Sequence, residues 1–228
     1  HVIPEEYVNN PDGYVDLIVK EIIPASSAKW IDVFCDAGAF SPEQTRAILL
    51  AGKAAGMLAR IHANQLSRTT AVALAIELGA ASADHLSASS DADIEALAAS
   101  TTVATLLPGA EFSTQHEGRL GRRFLDARAQ VAIATDCNPG SSFTTSMPFC
   151  IAAAVSLLGF TVEEAVHAAT AGGAAALRRS DIGTLAIGSR ADIAILKSPS
   201  YIHLAYRPGA DLVETTLKAG RKVKTWQK

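Results

Sequence analysis

Short apolar runs alternate with helical patterns as far as about residue 135, and this alternation constrains the fold more than any other feature. The predicted strands are Trp30–Cys35, Met57–Ile61, Ala80–Ala83, Thr102–Leu107 and Val131–Thr135. The helices predicted around them are Pro11–Ile23, Pro42–Gly56, Ser67–Leu78, Asp91–Ala99 and Arg119–Ala129. One strand and one helix recur about every 25 residues, which is typical of strands that pair in parallel. The pattern therefore predicts an α/β fold built on a parallel sheet.

The pattern changes after Pro148. Two consecutive helices are predicted, Phe149–Leu158 and Val162–Thr170, and the second opens with a capping box formed by Thr161 and Glu164. Short strands separated by turns follow, namely Gly183–Leu185, Ala191–Leu196, Leu212–Leu217 and Arg221–Trp226. We therefore predict a domain boundary near residue 180, with the α/β domain over residues 1–180 and a small antiparallel β segment over residues 181–228.

Composition argues against several classes of function. The net charge is −3 and the chain has no Lys/Arg cluster of the size that nucleic-acid binding favours. The longest apolar run, Phe149–Phe160, is interrupted by Ser156 and falls short of the ~20 residues that span a bilayer. Three cysteines in unlike contexts disfavour a disulfide framework and fit a reducing compartment, so we expect a cytoplasmic protein. The chain begins with His1 in mid-pattern, and we expect it to be a piece of a longer protein.

Polar side chains occur at the carboxyl ends of several predicted strands. His1, His62, His85 and Asp136 each follow an apolar run and precede a loop. Because the carboxyl ends of parallel barrel strands converge on one face, we expect these four side chains to gather there. The other histidines lack this placement: His116 lies in a loop, His167 in a helix and His203 in the β segment.

Two imidazoles and a carboxylate are ligands that suit a hydrolytic metal such as zinc or iron. A metal of this kind makes hydroxide available at neutral pH, and Asp136 could then both bind the metal and take a proton. His85 could polarise a scissile carbonyl. The loop after Asp136 offers donors from Asn138, Gly140 and Ser141, although a tight turn alone would also favour these residue types.

Several motifs resemble the imidazolonepropionase family, histidine-degrading members of the amidohydrolase superfamily. The matching pieces, in family order, are HVIPEEY, IDVFCDAGAFS, IHANQL, SADHL, LLPG, TDCNPGSS, GTLAIGSRADIAIL and SYIHLAYRPGADLV. The combination of TDCNPGSS, SADHL and FCDAGAFS is specific, whereas RADIAIL occurs in many amidohydrolases. The matches run over essentially the whole chain.

The resemblance implies a (β/α)8 TIM-barrel-like fold of the metallo-dependent hydrolase type, of which residues 1–180 supply only part, with the strands of a small β-sandwich-type domain over residues 181–228. It also implies hydrolysis of the ring amide of 4-imidazolone-5-propanoate to N-formimidoyl-L-glutamate. It implies one divalent metal ion, zinc or iron, with His62 and Asp136 as ligands. Asp136, His85 and Gln65 would be the catalytic residues. The substrate-binding residues would be His1, Gln65, Asn138, Gly140 and Ser141. The partner is the small-molecule substrate, with no nucleic acid and no membrane; the oligomeric state stays open, with a homodimer as one alternative.

Two departures from the family pattern affect this interpretation. The family's His-x-His metal pair, and the barrel strands that carry it, are expected upstream of His1. Many members also carry Glu where this chain has Gln65, and a carboxamide can orient water but cannot act as a base. The open alternatives are another amidohydrolase acting on a cyclic amide or amidine, and a non-catalytic ligand-binding domain.

Overall fold

The computed structural model describes residues 1–115 and 119–223. The strands are β1 Trp30–Cys35, β2 Leu58–Ala63, β3 Ser82–His85, β4 Val103–Leu106, β5 Val131–Ile133, β6 Ile193–Leu196, β7 Val213–Lys218 and β8 Arg221–Lys222. The α-helices are α1 Pro11–Leu17, α2 Ile23–Ala25, α3 Pro42–Ala54, α4 Ala71–Glu77, α5 Asp91–Ala98, α6 Pro108–Thr114, α7 Leu120–Asp126, α8 Met147–Ser156, α9 Val162–His167, α10 Gly173–Ala176 and α11 His203–Tyr206. A 3₁₀ turn, Glu5–Tyr7, and two π-helical turns, Ile18–Ile22 and Ala168–Gly172, complete the elements.

The chain divides into two compact units. The first contains His1–Leu106 and Arg123–Gln130. The second contains, over the described residues, Leu107–Arg122 and the chain from Val131. The sequence-based division at residue 180 stays a prediction.

The first unit is built on a parallel sheet in which β1, β2, β3 and β4 are neighbours in that order. Its register places Asp32 opposite Arg60, Phe34 opposite His62, and His62 opposite Asp84. Helix α3 covers one face, where a Cβ added at Gly52 would lie 2.6 Å from Cγ2 of Ile31. Side chains alternate along a strand, so Asp32 and Phe34 lie on the other face of β1.

The second unit contains β5, the helices α8 to α10 and a small antiparallel sheet of β6, β7 and β8. The π-helical turn Ala168–Gly172 packs on β5 so closely that Gly172 lies against the Val131 carbonyl. Thr161 and Glu164 form the predicted capping box at the start of α9. In the described part of the chain, no helix combines the length and apolar character that crossing a bilayer needs.

Most sequence-predicted elements are present, but several boundaries move. Helix α4 begins at Ala71 and not at Ser67. Ser67 binds the side chain of Asp36, which follows β1, and Thr69 binds the side chain of Asn64, which follows β2. His62 does not follow β2 but lies within it.

Other predictions were wrong, or concern residues outside those that the structure describes. Residues 183–185 form no strand but a turn region, in which the Thr184 hydroxyl lies 2.9 Å from that of Ser189. The loop predicted after Pro108 begins as helix α6, with Pro108 at its first position. His116 and residues 224–226 of the last predicted strand lie outside the described residues.

Candidate metal centre and active site

Three of the sequence-predicted histidines meet at the carboxyl ends of β1, β2 and β3. The ring centroids of His1 and His62 are 4.4 Å apart, and those of His62 and His85 are 5.1 Å apart. His1 also stacks on Phe34, with the two rings nearly parallel at 5.7 Å. The arrangement follows from the strand register, since Phe34 and His62 are direct cross-strand neighbours on the face that α3 does not cover.

Asp32 joins two of these imidazoles. Its Oδ1 lies 3.0 Å from Nδ1 of His62, and its Oδ2 lies 3.5 Å from Nδ1 of His1. One ligand atom from each of the three residues lies within 4.8 Å of the others. Asp32 is not among the sequence-predicted site residues, because those are polar residues that follow strands and Asp32 lies inside one. The available signal was a carboxylate in the middle of the otherwise largely apolar β1.

His85 occupies an unusual backbone conformation at the end of β3. Strand alternation would place its ring on the face opposite Asp84, yet the ring reaches His62. A φ of 75° at His85, followed by 69° at Leu86, breaks the alternation. Such left-handed values are rare outside glycine and cluster at functional sites. Burial, and next the neighbouring His62, lower the pKa of His85 to about 3, so its imidazole is neutral at physiological pH.

Asp36 organises the loop that carries Gln65. This buried carboxylate accepts hydrogen bonds from the backbone amides of Gln65 and Leu66, both at 2.8 Å, and from the hydroxyl of Ser67 at 2.5 Å. Next to Gln65, Asn64 has a φ of 49° and is fully buried. The backbone of Gln65 is therefore held firmly at the end of β2. Asp36 directly follows β1, so the strand-end criterion that selected Asp136 could have found it.

Asp84 is a second carboxylate that sequence reasoning missed. It lies within β3, opposite His62, and burial raises the pKa of its carboxyl group. Its Oδ1 has no hydrogen-bond partner among the described residues. An Asp inside a short strand of small residues was the available signal.

The loop after β5 is shaped by Asn138. The Asn138 side-chain amide donates to the backbone oxygen and to Oδ2 of Asp136, at 2.7 and 3.1 Å, while its Oδ1 accepts from the amides of Gly140 and Ser141, both at 2.8 Å. Asp136 itself has a φ of 48°. The two backbone donors offered by the sequence are thus engaged inside the loop, which favours a structural role for them. Substrate contact by Asn138, Gly140 and Ser141 stays a prediction.

The residues at the ends of β1 and β2 fit a divalent metal ion. A histidine that ligates a metal through one ring nitrogen usually donates a hydrogen bond from the other to a carboxylate. His62 has such a carboxylate, Asp32, on its Nδ1. In a metal complex of this kind, Nε2 would be the ligating atom. Imidazole and carboxylate donors of this kind suit both zinc and iron.

Comparisons with known proteins define the family to which this chain belongs. The chain belongs to the amidohydrolase family, whose model matches residues 24–226. Imidazolonepropionase of Streptomyces avermitilis is 58% identical over 226 residues, which make up 98% of this chain and 55% of that protein. Imidazolonepropionase of Mycolicibacterium smegmatis is 58% identical over 229 residues, which make up 100% of this chain and 57% of that protein. The chain thus spans little more than half the length of these relatives.

Solved structures show the same fold at low sequence identity. An amidohydrolase crystal structure gives a TM-score of 0.72 at 15% identity, over 92% of this chain and 58% of its own. An adenosine deaminase from Xanthomonas campestris with bound zinc gives 0.68 at 19% identity, over 81% of this chain and 49% of its own. With the family match, these likenesses confirm the prediction of a partial barrel of the metallo-dependent hydrolase type.

Proposed function

We propose that the protein to which this chain belongs hydrolyses 4-imidazolone-5-propanoate to N-formimidoyl-L-glutamate. The observation that carries the proposal is the meeting of His1, His62 and His85, with Asp32 bound to the first two, in a chain 58% identical to imidazolonepropionases. In this reaction water adds to the ring carbonyl carbon, the amide C–N bond breaks, and the released nitrogen takes a proton.

We assign the metal to His62 and Asp136, together with residues expected upstream. A bound divalent cation lowers the pKa of water to about 7 and so supplies hydroxide at neutral pH. Zinc and iron both suit this donor set, and zinc is present in the deaminase structure with the same fold.

The chain's own residues supply proton transfer and orientation. Asp136 would accept a proton from the attacking water and pass it to the leaving nitrogen. His85, as a neutral imidazole, would donate a hydrogen bond to the carbonyl oxygen as negative charge develops there. Gln65 would orient water or substrate through its carboxamide, which cannot remove a proton.

Substrate binding is assigned to His1 and to the loop after β5. The ring of His1 is held between Phe34 and His62 and remains half exposed, so it can contact a small ligand. Asn138, Gly140 and Ser141 would contact the substrate through groups that the loop's own hydrogen bonds leave available. We further propose a cytoplasmic location, which is supported by the three unpaired cysteines.

The test is turnover by the complete protein. The chain joined to its native upstream region and loaded with zinc or iron should consume imidazolonepropionate, measured as loss of its absorbance. No turnover with either metal would reject the proposal. A panel of other cyclic amides and amidines separates this substrate from those of related amidohydrolases. A purified protein that lacks stoichiometric metal and is unaffected by chelator would instead indicate a non-catalytic ligand-binding domain.

A further inference from the structure

Asp32 stands between two functional imidazoles and uses a different oxygen for each. Oδ1 faces Nδ1 of His62 at 3.0 Å and Oδ2 faces Nδ1 of His1 at 3.5 Å. The carboxylate is about two-thirds buried, on the interior of a six-residue strand. Groups on strands are held more rigidly than groups on loops, so this position can set the orientation of its neighbours.

The contact determines which nitrogen of His62 carries the proton. A carboxylate accepts hydrogen bonds, so Nδ1 of His62 must be the donor. The lone pair of the neutral ring then lies on Nε2, the only ring nitrogen that can bind a metal. Without the carboxylate, the ring could rotate or exchange its proton to Nε2, and both changes would weaken metal binding.

We propose that Asp32 is the positioning residue of this site: it holds His62 in the Nδ1–H form, in which Nε2 carries the lone pair that a metal would bind. Through its second oxygen it also fixes His1, which couples the substrate-binding imidazole to the metal ligand. The inference rests on the proposed function in one respect, that His62 binds a metal. The hydrogen bond itself does not depend on that function.

The strand register supports this assignment. The direct cross-strand neighbour of Asp32 is Arg60, whose guanidinium carbon lies 4.5 Å from the ring of Trp30. Asp32 therefore reaches His62 along the diagonal between neighbouring strands, a separation that side chains can bridge. Neither residue can change its register without moving the whole strand pair.

Two variants of the complete protein test the inference through zinc affinity, measured by competition with a chelating dye. Asp32→Ala should weaken zinc binding about 10–100-fold, which is typical for loss of a carboxylate that orients a histidine ligand. Asp32→Asn keeps an oxygen that can accept the hydrogen bond from His62, so it should lose less zinc affinity than Asp32→Ala. Asp16→Ala is the matched control, because that carboxylate lies at the surface and pairs with Lys20 one helical turn away, and it should bind zinc as the wild type does.

The outcomes are distinct. Unchanged zinc affinity in Asp32→Ala would overturn the inference. Equal and severe losses in Asp32→Asn and Asp32→Ala would also overturn it, because they would identify Asp32 as a metal ligand. A wild-type protein that binds no zinc would overturn the proposed function.

A spectroscopic readout is independent of metal. In the metal-free protein, long-range ¹H–¹⁵N spectra should show His62 protonated on Nδ1, and Asp32→Asn should shift or broaden that signal. A neutral His62 ring that carries its proton on Nε2 and none on Nδ1 in the metal-free wild type would refute the positioning role, even if the protein binds zinc.

Discussion

Two adjacent glycines should respond in opposite directions to the same substitution. Gly172 and Gly173 have nearly identical helical backbones, with φ of −60° and −59°. A Cβ added at Gly172 would lie 2.2 Å from the carbonyl oxygen of Val131, whereas the nearest atom to a Cβ at Gly173 is 4.0 Å away. Because the two glycines have the same backbone conformation, the difference between their alanine variants measures the effect of packing against β5.

The magnitudes follow from these distances. Ordinary contacts begin near 3.5 Å, so Gly172→Ala must displace the backbone of β5 or of the helix by about 1 Å. Overpacking of this kind lowers the free energy of unfolding by about 1–3 kcal/mol. That loss exceeds the roughly 0.5–1 kcal/mol of stability that alanine gains over glycine in a helix. The Cβ of Gly173→Ala makes no such contact, so this substitution should stabilise the protein by about 0.5–1 kcal/mol.

The assay is unfolding of both variants beside the wild type, by urea and by heat. The wild-type unfolding midpoint should lie between those of the two variants. A loss of 1 kcal/mol lowers the melting temperature of a chain of this size by about 2–4 °C, so Gly172→Ala should melt several degrees below the wild type. Gly172→Ala should also weaken metal binding, because the displaced strand β5 leads to Asp136. A Gly172→Ala protein as stable as Gly173→Ala would show that the close packing of the helix on β5 is wrong.

Further predictions concern the proposed ligand and the thiols. Asp136→Asn should abolish turnover and weaken metal binding while circular dichroism stays native; normal turnover would remove Asp136 from the mechanism. Ser156→Ala should leave the rate nearly unchanged, since its hydroxyl donates to the Ala152 and Ala153 carbonyls within α8; a large loss of rate would mean that the site is misplaced. Iodoacetamide should label the exposed Cys137 in the native protein and leave the buried Cys150 intact, as mass spectrometry can show; labelling of Cys150 without unfolding would contradict its burial. Burial raises the pKa of the Cys150 thiol from 9.0 to about 11. The thiol therefore loses its proton at lower pH in the unfolded state than in the folded state, and the free energy of unfolding should fall as pH rises from 9 to 11. A Cys150→Ala variant should lack that part of the pH dependence, and an identical slope in both proteins would exclude the thiol as its source.

Some functional residues were predictable and others were not. His1, His62 and His85 could be selected because each lies at or near a strand end, and strand ends are visible in the apolar pattern. Asp32 and Asp84 could not be ranked in this way, because their importance comes from His62, which lies diagonal to Asp32 and directly opposite Asp84 in the neighbouring strand. The positive φ of His85 was also invisible, since it is imposed by the loop that follows β3.

By itself, the sequence determined the order of strands and helices and the positions of the caps at Ser41 and Thr161, because these depend on residues within a few positions of one another. Only the tertiary structure decided that Asp32 meets His62, and that Gln65 is held by Asp36. Each of those pairs is about 30 residues apart, and its contact depends on the register between parallel strands. Register is the joint result of packing along both strands, and no local segment of the sequence specifies it.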